Sequence, residues 1–510
     1  MKVPYNSFHI PAFLVIPFVS CLAQQKENKP NVVIILADDI GYGDLGWMGA
    51  NTIQTPNVNK LGDEGIRFTN CHATSATSTP SRYGILTGMY PWRITGTGIA
   101  AGDAAMIIKT EQFTMADMFK NVGYATAAIG KWHLGLGDKT GKQNWNGEIK
   151  PNLSDLGFGY SFIMAATADR VPCVFIENGR AANLDPTDPI EVSYAKPFPN
   201  EPTGKKNPEL LRIHPSDGHD MAIVDGIPRI GYMIGGKSAL WHDEDIADRI
   251  TDKALNFIKQ NQSNPFFLYF GTNDIHVPRV PNERFIGKSG MGARGDAILS
   301  FDYTVGRVMK TLDSLGIADN TIIILTSDNG PVLDDGYKDK AVELFGKHKP
   351  GGVYRGGKYS IFEARTRVPC IFYWKDVISK SEVSPALVSQ LDFFKSLAKL
   401  TNQKIPVTAA PDSKEELDVL LGKNQNGREY LIEQNLNNTL SVVTSNLKYI
   451  EPSSAPAMNT GTNTELGNNK SAQLYNLKTD PGETHNIAAT QPEFVKKLSK
   501  ILKTEKQKMP

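Results

Sequence analysis

Five short apolar runs, at residues 32–36, 125–129, 266–270, 322–325 and 369–373, are continuous rather than alternating. Such runs predict strands buried on both faces, as in a parallel sheet covered by helices. Between them the period changes. Thr114 is placed to cap a helix through Lys120, and residues 245–258 show helical spacing. Ile298, Phe301, Val305, Val308, Met309 and Leu312 make one apolar stripe. Strands alternating with helices predict an α/β fold: a large domain with a central, mostly parallel sheet flanked by helices. From residue 137 to about 236 the pattern fails in a stretch rich in Pro, Gly and Asp, with a short strand-like piece at 173–177. Loops that shape a substrate pocket are expected there. Beyond about residue 376 a helix near 387–400 leads to short strands at 429–432, 439–444 and 474–477, then a C-terminal amphipathic helix. The predicted division is a catalytic domain over 28–375, carrying the 137–236 insert, and a smaller α+β subdomain over 376–510.

Composition narrows the partners. A net charge of +1 gives no reason to expect nucleic acid or an anionic membrane surface, so anion selectivity must come from local placement. At the N-terminus, Lys2 precedes an apolar stretch at 10–19 that is too short to span a bilayer. It reads as an export signal over 1–23. Two cleavage readings compete: Phe18-Val19-Ser20-Cys21 looks like a relaxed lipobox (signal 1–20, Cys21 lipid-anchored), whereas cleavage after Ala23 releases a soluble chain. Both place the protein outside the cytoplasm, in the periplasm or anchored to the outer membrane, with no transmembrane helix after signal removal. Cys71, Cys173 and Cys370 are widely spaced and suggest packed thiols rather than a disulfide framework.

The chemistry sits where strands end. Asp38-Asp39 follows the first run directly, and Asp328-Asn329 follows the run at 322–325. In open α/β sheets ligands bind at the carboxyl ends of strands, so the two pairs could converge on one hard cation. Three carboxylates and an amide oxygen favour calcium or magnesium over zinc. Turn chemistry alone also explains Asp-Asp and Asp-Asn-Gly. Lys131 and His133, in Gly130-Lys131-Trp132-His133-Leu134-Gly135, lie just past another strand, and His276 follows the run at 266–270. Lys358 sits in Arg355-Gly356-Gly357-Lys358. Singly, each Lys or His has a bland alternative as a surface or structural residue.

In Ser78-Thr79-Pro80-Ser81-Arg82, followed by Tyr83-Gly84-Ile85-Leu86-Thr87-Gly88, a small nucleophilic residue stands just before Pro80. Proline biases its neighbour away from helical geometry, so a helix is expected to start after it, with Ser81 and Arg82 in the first turn. A helix N-terminus favours a bound anion.

This segment resembles the active-site motif of the formylglycine-dependent sulfatases, and several others carry the same resemblance. They are Pro30-Asn31-Val32-Val33-Ile34-Ile35-Leu36-Ala37-Asp38-Asp39 with Gly41-Tyr42-Gly43-Asp44, Thr326-Ser327-Asp328-Asn329-Gly330, Gly-Lys-Trp-His-Leu-Gly and the His-x-Pro at His276. Near the C-terminus, Leu474-Tyr475-Asn476-Leu477-Lys478-Thr479-Asp480-Pro481-Gly482-Glu483 looks like another family segment. After Lys358, the stretch Phe362-Glu363-Ala364-Arg365-Thr366-Arg367-Val368-Pro369 departs from the family's usual Glu-Gly-Gly-x-Arg-x-Pro.

The resemblance implies an alkaline-phosphatase-like sulfatase fold and a sulfuric ester hydrolase. It implies one metal, usually calcium, on Asp38, Asp39, Ser78, Asp328 and Asn329, and conversion of Ser78 to formylglycine, whose hydrate is the nucleophile. Arg82 and Lys131 then stabilise nucleophile and sulfate, His276 protonates the leaving alcohol with Lys358 assisting, and His133 deprotonates the second hydroxyl to expel sulfate. A serine-type maturase is the implied partner in biogenesis and a sulfated saccharide, galactose or N-acetylgalactosamine, the implied substrate. Within the insert, Asp169, Arg170, His214 and His219 are candidate sugar contacts. Two other readings stand beside this one: a phosphodiesterase or phosphonate hydrolase of the same superfamily, and an inactive carbohydrate-binding relative.

Overall fold

The computed structural model describes residues 1–4, 29–378 and 380–508. The apolar run of the proposed signal, with Cys21 and Ala23, lies outside them. Among the described residues, a ten-stranded sheet forms the centre. Its strands are β1 (Asn31–Ala37), β2 (Ile66–Phe68), β3 (Ala125–Lys131), β4 (Tyr160–Met164), β5 (Phe175–Glu177), β6 (Arg180–Ala181), β7 (Phe266–Gly271), β8 (Thr321–Ser327), β9 (Cys370–Tyr373) and β10 (Glu382–Ser384). The spatial order is β10-β2-β9-β8-β1-β7-β3-β4-β5-β6. From β8 to β4 all neighbours are parallel, whereas β9 and β5 pair antiparallel with the parallel core.

The continuous apolar runs are explained by cover on both faces. Adjacent residues of a strand point to opposite sides. Phe267 stacks on Phe119 of the helix Met115–Asn121 at 4.3 Å, and Phe266 meets Phe257 of the helix Ile246–Gln260 at 5.9 Å. The two helices therefore lie on opposite faces, and every residue of β1, β7 and β8 is buried. Thr114 caps its helix as expected, in a reciprocal capping box with Asp117.

Three expectations need correction. The helix at the serine motif begins at Ser78 and runs to Thr87, so Pro80 lies inside its first turn. The first N–H groups of a helix have no intrahelical acceptor, and a proline there forfeits no bond. The insert does more than loop, because β4, β5 and β6 extend the central sheet. The sheet also continues past residue 376, since β10 pairs parallel with β2.

The C-terminal portion forms a separate four-stranded antiparallel sheet of β11 (Leu431–Gln434), β12 (Leu440–Val443), β13 (Leu447–Ile450) and β14 (Gln473–Asn476), covered by the helix Pro492–Gln507. The strand β13 has no clear apolar run in the sequence. A buried ionic network ties this sheet to the central domain. Glu433 accepts from His72 at 2.8 Å and from Arg365 and Thr366 at 2.6 Å each, while Lys448 lies 3.1 Å from Glu363.

Candidate active site

Because β8, β1, β7 and β3 are parallel neighbours, the residues that follow them emerge at one edge. Asp328-Asn329, Asp38-Asp39, the 272–276 turn and Lys131–His133 are thus brought together from four distant parts of the chain. Backbone bonds between the exits fix their spacing: the Asp38 N–H donates to the Asp274 carbonyl at 3.1 Å, and the Ile275 N–H to the Asp38 carbonyl at 2.7 Å. Asp39 and His133 both hold positive φ, 60° and 58°, an uncommon conformation for such residues that turns each side chain sharply off its strand.

Ser78 occupies the first turn of its helix, and its hydroxyl donates to Asp328 Oδ2. Arg82, one turn on, donates from Nε to Ser78 Oγ at 3.2 Å and from Nη2 to Asp328 Oδ2 at 2.8 Å. Its Nη1 donates to the Lys131 carbonyl at 3.1 Å. Lys131 Nζ lies 2.5 Å from Asp38 Oδ2. Lys358 Nζ donates at 2.8 Å to both Asp39 Oδ2 and Asp335 Oδ2. Burial would lift the Asp328 carboxyl, but Arg82 and Lys131 outweigh it and hold the group ionised. Burial and the neighbouring Asp328 and Asp39 push the Asp38 carboxyl well up, against the pull of Lys131.

Two orphaned atoms mark what this cluster is built for. Asp38 Oδ1 and Asn329 Oδ1 are buried with no hydrogen-bond partner, while the Asn329 amide nitrogen faces Asp39 Oδ1 at 2.7 Å. Buried oxygens left without a hydrogen-bond partner are costly unless a ligand lies among them. An oxygen-only set from Asp38, Asp39, Asp328 and Asn329 fits a hard divalent cation. His276 also approaches, its Nε2 standing 3.9 Å from Asp39 Oδ2.

The two histidines differ in hydrogen bonding. His133 Nε2 donates to the Ala100 carbonyl at 3.0 Å, leaving Nδ1 without a partner. Burial, with Lys131 and Arg170, holds its pKa well below the usual value, so the ring is neutral with a free lone pair. His276 Nδ1 donates to the Val277 carbonyl at 2.7 Å, which leaves Nε2 for the cavity. Burial and Lys358 hold this ring neutral as well.

Ser78, His133, His276 and Lys358 line one cavity, and the insert forms its opposite wall. There His219 Nε2 lies 2.9 Å from Asp169 Oδ2, and Arg170 donates from Nη1 to the same carboxylate at 2.9 Å. Asp169, Arg170 and His219 thus reach the cavity. His214 does not: it is exposed and absent from the lining, because the residue 214–215 backbone bridges to residues 337–338 and carries its side chain outward. Sequence reasoning missed Asp335 and Tyr359, which also line the cavity. The Asp334-Asp335-Gly336 stretch has the composition of a turn, and only its approach to Lys358 gives it meaning.

The family model described as Sulfatase matches residues 30–403. An N-acetylgalactosamine-6-O-sulfatase of Bacteroides thetaiotaomicron is 56% identical over 482 residues, covering 94% of this chain and 94% of that protein. Human steryl-sulfatase is 28% identical over 450 residues, 83% of this chain and 75% of that protein. A solved structure from work on the metabolism of multiple glycosaminoglycans by Bacteroides thetaiotaomicron superposes with a TM-score of 0.93 at 56% identity, over 94% of this chain and 100% of that one.

Proposed function

Because the chain belongs to the sulfatase family and is a sulfuric ester hydrolase of carbohydrate sulfates, we propose that it removes the 6-O-sulfate of a terminal N-acetylgalactosamine or galactose from glycosaminoglycan fragments. The carrying observation is 56% identity to the N-acetylgalactosamine-6-O-sulfatase over 94% of each chain. The cavity over Ser78 is walled on one side by the insert residues Asp169, Arg170 and His219, a lining that suits the terminal sugar of a chain.

The family generally uses a metal and formylglycine. Here Asp38, Asp39, Asp328, Asn329 and residue 78 would hold the cation, and calcium is the ion proposed. When present, the cation supplies positive charge against the sulfate oxygens, and formylglycine derived from Ser78 supplies, as its hydrate, the attacking hydroxyl. A serine-type maturase would carry out that conversion. Arg82 and Lys131 hold residue 78 and neutralise charge that builds on the sulfate. The cavity-facing Nε2 of His276 carries the proton for the leaving sugar oxygen, since an arriving anionic ester offsets the Lys358 charge that adds to burial in keeping the ring neutral. Lys358 addresses a sulfate oxygen. His133, through its unpartnered Nδ1, accepts the proton that must leave residue 78 before sulfate departs. Asp169, Arg170 and His219 present both acceptors and donors, as ring hydroxyls require. Export by the residue 1–23 segment would place the enzyme where polymeric glycans are met.

The test is sulfate release by matured enzyme from mono- and disaccharides sulfated at single defined positions. Release from 6-O-sulfated N-acetylgalactosamine well above its 4-O isomer is expected, and preference for another position would overturn the assignment.

A further inference from the structure

Asp335 is seven residues beyond Asp328, at the cavity wall. Its Oδ2 accepts from Lys358 Nζ at 2.8 Å and its Oδ1 from the Tyr359 hydroxyl at 2.7 Å. Lys358 gives a second N–H to Asp39 Oδ2, also at 2.8 Å. An ammonium carries three N–H donors, so two are committed and one remains for the cavity. A carboxylate beside an anion site is otherwise a liability, because like charge repels the ligand by Coulomb's law.

We infer that Asp335 is a positioning residue: with Asp39 it clamps the Lys358 ammonium so that the remaining N–H addresses a sulfate oxygen above Ser78. The surrounding backbone serves the same end. The Lys358 N–H donates to the Pro331 carbonyl at 2.8 Å, and the Tyr359 N–H to the Ala76 carbonyl at 2.9 Å. Tyr359 itself holds φ at 76°. The lysine stem is thus tied at its backbone and at its tip, and losing one tip anchor frees a flexible four-carbon chain. The inference goes beyond the proposed substrate and rests on that reading only in placing a sulfate at Ser78.

Simple electrostatics and positioning predict opposite signs, which makes the test sharp. Inorganic sulfate is titrated calorimetrically into matured, metal-loaded enzyme, and turnover of an aryl sulfate is measured alongside. Removing a negative charge by Asp335→Asn should tighten sulfate if charge alone matters. Positioning predicts sulfate bound about tenfold more weakly and kcat/KM lowered by about 10–100-fold, with both effects vanishing in a Lys358→Ala background. Unchanged or tighter sulfate with unchanged turnover would overturn the inference, as would an Asp335→Asn effect that persists in full without Lys358. Should Asp335→Asn not fold, Tyr359→Phe keeps the carboxylate and removes one tether. It should weaken sulfate several-fold only while Lys358 is present, and equal weakening in both backgrounds would count against the clamp. A wrong sugar assignment appears separately, in the wild-type saccharide panel, and leaves the sulfate titration intact.

Discussion

Gly336 lies flush against the imidazole of His219: a Cβ at residue 336 would stand 1.9 Å from His219 Nδ1 and 2.1 Å from the adjacent ring carbon. Its φ of 101° is also one that side chains rarely adopt. The loop that carries Asp335 therefore also seats the insert's histidine, and Ser216 reinforces the seat by donating to Asp334 at 2.6 Å.

Gly336→Ala should push His219 off Asp169 and damage sugar recognition more than sulfur chemistry. KM for a sulfated saccharide is expected to rise about tenfold or more, with kcat/KM on an aryl sulfate changed by less than about threefold. Equal losses on both substrates would show that the seat serves the sulfate end instead.

Protonation of His219 should couple to pH. Burial pulls its pKa down, but the Asp169 hydrogen bond and charge outweigh burial and raise it. A group whose folded pKa lies above its unfolded value contributes stability that is complete below about 6.5 and is lost as pH rises through the raised value. Thermal stability of wild type should therefore fall on that alkaline side more than that of His219→Gln. Parallel melting curves against pH would remove the coupling.

Asp38→Ala removes a proposed cation ligand and leaves the Lys131 ammonium without its 2.5 Å partner. Metal content should drop below stoichiometry and activity should fall by several orders of magnitude. Stoichiometric calcium retained with near-normal turnover, or zinc found in the native protein, would refute the site.

His276→Ala should cost about 10²–10⁴-fold on a glycan, whose leaving alcohol needs a proton, and much less on an activated aryl sulfate. His133→Ala should slow both substrates alike and accumulate a sulfated enzyme visible by intact mass. Equal loss for His276→Ala on the two substrates would move the acid role to Lys358.

Glu433→Ala strips the buried charge that His72, Arg365 and Thr366 share. Removing one member of a buried pair typically costs about 3–5 kcal/mol, so the denaturation midpoint should fall sharply. The C-terminal sheet should loosen first, as read by hydrogen exchange in 431–476 relative to the central strands. A shift below about 1 kcal/mol would mean that the network is solvated or self-compensating.

The buried parallel strands and the helices over them were legible because their signals are local. A doubly covered strand needs an unbroken apolar run, and Thr114 with Asp117 spells a cap within four residues. The strand-end carboxylates, lysines and histidines were legible as candidates for the same reason, with motif resemblance joining them. Less of the insert could be read. Its β5 falls within the short run expected at 173–177, whereas β6 is two residues long, too short for any period to register. The serine helix starts at Ser78 rather than after Pro80 because a proline in the first turn forfeits no hydrogen bond, so its local bias does not set the helix start.

By itself the sequence determined the fold class, the reaction class through its motif resemblance, and the candidate groups at the strand ends, since each is written in short contiguous segments. Only the tertiary structure decided which insert residues face the cavity, bringing in Asp169, Arg170 and His219 and turning His214 outward. It alone revealed Asp335 on Lys358 and Gly336 under His219, pairings that span 23 and 117 residues. Such contacts follow from strand order and loop packing, which no local pattern encodes, because hydrogen bonds and close approach depend on distance in space and not on spacing along the chain.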